Sequence, residues 1–109
     1  MTKRRNGKPI HANVLKPSNP DTIALSQAVE ERFLRLCGSW LKVRKEPLLI
    51  PPDLDKELFR WRQMVTRHRR GDRRNTGAEL KSLRVVAQWT VDMNCMLRNQ
   101  PLKKLTWGD

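Results

Sequence analysis

Three runs of apolar residues recur at steps of three and four, and each run ends at a proline or a glycine. That spacing confines most of the chain to amphipathic helices. In the first run Leu25, Val29, Phe33, Leu36, Trp40 and Val43 form one stripe, which Cys37 and Leu41 widen. Asn19-Pro20-Asp21 ahead of it supplies a cap, a first helical residue and an acid facing the positive end of the dipole, and Pro47 closes it. In the second run Leu54, Leu58, Trp61 and Val65 repeat behind Asp53, a candidate cap, and Gly71 is a natural stop. The third opens on Thr76-Gly77-Ala78-Glu79, which spells a capping box, and continues through Leu80, Leu83, Val86, Thr90, Met93 and Leu97 to Pro101.

The pattern predicts an all-α fold: a small three-helix domain over residues 19–101, with helices at about 20–45, 53–70 and 77–99. No segment alternates apolar and polar residues long enough to predict a strand. The third helix is apolar on more than one face, because Val85, Trp89 and Met96 lie beside its main stripe. Such a helix is expected either at the centre of the bundle or at the interface of a homodimer. Residues 1–18, with Gly7, Pro9 and Pro17 and no acid, read as a flexible, disordered basic arm, and residues 102–109 as a short C-terminal tail.

Charge is the second constraint. The 109 residues hold 23 Lys and Arg against 11 Asp and Glu, a net charge of +12. Residues 1–20 contribute five bases and no acid, and residues 60–74 contribute seven arginines and one aspartate, so 11 of the 12 excess charges lie in 35 residues. The other 74 residues, with eleven bases and ten acids, are nearly neutral and carry the apolar stripes.

The residue types that perform chemistry are not grouped. Cys37 and Cys95 are solitary and His11 and His68 stand far apart, which is not metal-ligand spacing. The five glycines form no phosphate-cradling loop. Asp53, Asp55 and Glu57 fit helix capping and dipole compensation better than a carboxylate site. No cofactor, no metal and no enzymatic activity are expected. The basic N-terminus is not followed by an apolar stretch and no run is long enough to cross a bilayer, so the expected location is the cytoplasm, or the nucleus in a eukaryote, without secretion or membrane attachment.

What remains is an anion-binding surface. The candidate residues are Lys3, Arg4, Arg5 and Lys8 in the arm, and Arg60, Arg62, Arg67, Arg69, Arg70, Arg73 and Arg74 in the arginine block. The planar fork of arginine matches phosphate bidentately, and seven arginines against one acid exceed what solubility asks for. The expected function is nucleic-acid binding by phosphate contact, DNA slightly ahead of RNA, as an accessory or regulatory factor. The alternative is an interaction module that docks its basic surface on an acidic protein. Trp40, Trp61 and Trp89 fall on apolar stripes and are expected in the core, leaving Trp107 as the tryptophan available for stacking.

Overall fold

The structure, a computed structural model, describes residues 15–107. In chain order these form strand β1 (Lys16–Pro17), helix α1 (Pro20–Arg44), a 3-10 turn (Pro52–Leu54), helix α2 (Asp55–Arg69), strand β2 (Arg74–Asn75) and helix α3 (Gly77–Leu97). The fold is all-α, and the three expected helices are present. Lys3, Arg4, Arg5 and Lys8, with most of the expected arm, lie outside the described residues.

Helix α1 starts as its sequence dictates. Asn19 Oδ1 accepts from the Thr22 amide at 2.8 Å and from the Thr22 hydroxyl at 3.0 Å, with Pro20 in the first turn. It stops at Arg44, where Lys45 adopts the left-handed conformation at φ 62° and its amide donates to Leu41 O at 2.9 Å. Only the first two-thirds of the expected stripe is covered. Val29, Phe33 and Leu36 are buried, Trp40 is half-buried, and Leu41 and Val43 are exposed. The reason is length: α1 has 25 residues and α2 has 15, so at about 1.5 Å per residue α1 outruns its neighbour. Trp40, expected in the core, instead lies under the Arg44 guanidinium, 5.0 Å from its ring centroid.

Helix α2 departs from the expected start. Asp53 does not cap it but lies inside the 3-10 turn, and Leu54 stands at the cap position with helical dihedrals and no side-chain hydrogen bond. Pro51 and Pro52 account for this, since their fixed φ leads the chain directly into a helical turn. Leu58, Trp61, Met64 and Val65 then face inward. Trp61 is 2% exposed and meets Phe33 edge-on at 5.5 Å between centroids.

Helix α3 is the centre of the bundle, packing on both α1 and α2. Leu83, Val86, Ala87 and Thr90 are buried, Val85 and Trp89 are half-buried, and Met96 is exposed. Its capping box is complete: Thr76 Oγ1 accepts from the Glu79 amide at 3.0 Å, and Glu79 Oε1 accepts from the Thr76 amide at 2.8 Å. The helix ends at Leu97, with Asn99 at φ 54° and the Gln100 amide returning to Cys95 O at 2.9 Å. This turn sends the tail back along α3. Gln88 fixes it there, donating to Lys103 O at 2.9 Å and accepting from the Leu105 amide at 2.8 Å. Leu105 and Trp107 pack against the core, and Arg84 covers the Trp107 ring at 5.5 Å. The tryptophan expected to be available for stacking is thus occupied by the protein itself.

The short antiparallel ladder was not expected from the sequence. Lys16 pairs with Asn75 and Pro17 with Arg74, and the Ser18 amide donates to Arg73 O at 3.0 Å. Two residues are too few to show alternation. The ladder fixes the start of the described chain against the arginine block.

Candidate nucleic-acid interface

The arginine block is shaped by how α2 stops. The Gly71 amide donates to His68 O at 3.1 Å and the Asp72 amide to Arg67 O at 2.9 Å, with Gly71 at φ 96°. These bonds make a Schellman cap, which needs a left-handed residue at the position glycine fills here. The chain reverses at once, and Arg73 and Arg74 emerge beside the end of the helix.

Helical geometry divides the arginines of α2 into two pairs, each seven residues apart and therefore on one face. The first pair, Arg60 and Arg67, faces α3. Arg60 donates to the buried Ser82 hydroxyl at 3.3 Å and lies 3.6 Å from Glu57, to which Ser82 donates at 2.9 Å. Arg67 forms a bidentate pair with Glu79 at 2.6 and 2.5 Å and also donates to Arg74 O at 3.1 Å. Glu79 is 4% exposed, so Arg67 neutralises a buried carboxylate. Its hydrogen bond to Glu79 holds the guanidinium pKa above the ordinary value. Both arginines are committed to the fold.

The second pair, Arg62 and Arg69, faces α1. They flank a groove of about 350 Å³ floored by Phe33, Trp61 and Val65. Arg62 is exposed but stands over the Phe33 ring, 5.7 Å from its centroid, which restricts where its charge can go. Arg69 pairs with Glu30 across the groove and remains largely exposed. Leu34 and Phe59 are also open to solvent on α1 and α2.

The turn completes the surface. Arg74 is held bidentately by Asp72 at 2.8 and 3.0 Å, and this pairing depresses the Asp72 carboxyl to about 2. Arg70 and Arg73 are exposed and have no side-chain partner among the described residues. His68 lies in the last turn of α2 with both ring nitrogens buried. Burial, reinforced by the adjacent Arg67 charge, lowers its pKa.

The seven arginines named from sequence are therefore brought together in space but do different work. Arg60, Arg67 and Arg74 are tied to Glu57, Glu79 and Asp72, Arg69 pairs with Glu30 and Arg62 stands over the Phe33 ring, while Arg70 and Arg73 are exposed with no side-chain partner among the described residues. Glu79 was legible as a cap but not as a partner of Arg67, because that contact depends on the turn between them. Glu30 gave no signal, since its pairing crosses from one helix to another.

Among the described residues no three His, Cys, Asp or Glu side chains converge as a metal site, and no helix is long and apolar enough to cross a membrane. No protein-family model matches the chain, and no curated protein or solved structure matches it either.

Proposed function

We propose that this chain binds nucleic acid through phosphate contacts, with DNA slightly preferred over RNA, as an accessory or regulatory factor with no catalysis of its own. The observation that carries the reading is the exposed set Arg62, Arg69, Arg70 and Arg73 on α2 and its turn, where Glu30, the partner of Arg69, is the one carboxylate lining the groove among the described residues. Guanidinium groups that are partly fixed and solvent-facing suit bidentate phosphate contact. The ladder sets Lys16 and Pro17 beside Arg74 and Asn75; Lys3, Arg4, Arg5 and Lys8 belong to the same proposal on their charge alone.

The test is binding of labelled duplex DNA, single-stranded DNA and duplex RNA between 50 and 200 mM salt. Four duplex phosphate contacts contribute about −3.6 to the slope of log affinity against log salt. The variant R62Q/R69Q/R70Q/R73Q is expected to flatten the slope by about that amount with unchanged helicity. An unaltered slope, or no salt dependence on any nucleic acid, overturns the reading. A second reading, docking on an acidic protein, is favoured by exposed Leu34 and Phe59 beside the arginines. It predicts that L34S/F59S weakens capture of a stoichiometric protein partner and leaves nucleic-acid affinity alone.

A further inference from the structure

A second basic surface lies on the other flank of α1. Arg32 and Leu34 are two residues apart and so about 200° apart around the helix. Leu34 faces the groove with α2, whereas Arg32 and Arg35 line a cleft of about 810 Å³ between α1, the end of α3 and the returning tail. Arg98 and Lys103 enter from the opposite wall, with Asn94 and Gln100 between them, and no carboxylate lines the cleft among the described residues. Glu31 meets Arg35 at 3.8 Å on the open surface. Arg32, Arg98 and Lys103 have no side-chain partner among the described residues.

These four cations are more than sixty residues apart across the cleft walls and belong to the part of the sequence whose net charge is close to zero. The fold assembles them. The Asn99 turn sets Arg98 at the rim, and Gln88 holds the backbone of Lys103 against α3. Neutral amides among guanidinium groups, without a competing carboxylate, make a phosphate-binding lining: cations for charge, amides for the remaining oxygens.

We propose that this cleft is a second phosphate-binding site, and that one chain therefore holds two nucleic-acid segments, one on each flank of α1. The proposal rests on the nucleic-acid reading above but makes a separate claim. A protein with one basic surface binds one segment, whereas two surfaces facing apart bring two duplexes together.

The experiment mixes two short duplexes carrying donor and acceptor dyes with the full chain and reads energy transfer between them. Native mass spectrometry of the same samples counts chains per complex. The expected result for the unaltered protein is energy transfer from a complex of one chain and two duplexes. The variant R32Q/R98Q/K103Q is expected to lose transfer and still bind a single duplex. Three contacts weaken by about 40-fold between 50 and 200 mM salt, and transfer needs both sites occupied whereas single-duplex binding needs one, so transfer should disappear with salt before single-duplex binding does. Single-duplex binding without transfer in the unaltered protein overturns this proposal and leaves the first reading standing. Transfer that survives in the cleft variant, or that comes only from complexes of two chains, overturns it too. No binding of any duplex removes both.

Discussion

Replacing Arg67 by alanine separates an arginine that builds the fold from arginines that decorate it. The Glu79 side chain is 5% exposed and would lose two charge-assisted hydrogen bonds, keeping only the Thr76 amide. Removing one partner of a buried ion pair costs about 3–5 kcal/mol, because the other charge stays behind. Arg67 itself is 25% exposed, so water can follow it out and the lower end, about 3 kcal/mol, is expected. At about 4–8 °C per kcal/mol for a domain of this size, Tm falls by about 12–24 °C. Urea unfolding followed by tryptophan fluorescence gives the free energy, and R67M, E79Q and the double variant close a cycle. The coupling energy should be about 2 kcal/mol or more, whereas R70A should change stability by less than about 0.5 kcal/mol. Additive effects in the cycle, or an R67A variant as stable as R70A, would refute the assignment of Arg67 to the fold.

Three further outcomes are expected. His68 has a lowered pKa in the folded state, so the unfolded chain binds the proton more readily, and stability should fall as pH drops below about 6.5, a loss that H68Q removes. Asp72 titrates near 2 against an ordinary 3.8, so its contribution is present above 3.8 and lost as pH falls toward 2; D72N should abolish that part of the acid transition in a pH titration of unfolding. Lys45 is left-handed at φ 62°, so K45G should raise stability by about 0.5 kcal/mol in chemical denaturation, where a loss would show that the Lys45 side chain contributes to the cap.

Local signals carried the helices and distance hid the rest. Asn19, Thr76 and Glu79 act within three residues of their partners, so their roles were legible. Asp53 was misread because the effect of Pro51-Pro52 on the entry to α2 outweighed the capping preference of the aspartate. Trp40 and Val43 kept the apolar step but ran past the end of the neighbouring helix, which periodicity along one chain cannot register. At the candidate site the arginine block was visible as a run. Its division into committed and open side chains was not, because Glu30, Glu79 and Ser82 come from other helices. The Arg32–Lys103 cleft left no trace at all, since its four cations lie on two segments more than sixty residues apart.

The ladder between Lys16-Pro17 and Arg74-Asn75 joins segments nearly sixty residues apart in the chain. Closing a loop of that length in an unfolded chain costs about 3.6 kcal/mol before any constant term, more than a few exposed backbone hydrogen bonds return. The pairing therefore cannot nucleate folding; it forms last, on a bundle already assembled. By the same balance it opens first, without disturbing the core. The Ser18 amide should exchange with solvent far sooner than those of α3, and each such opening parts Lys16–Pro17 from Arg74–Asn75 while the three helices stay folded.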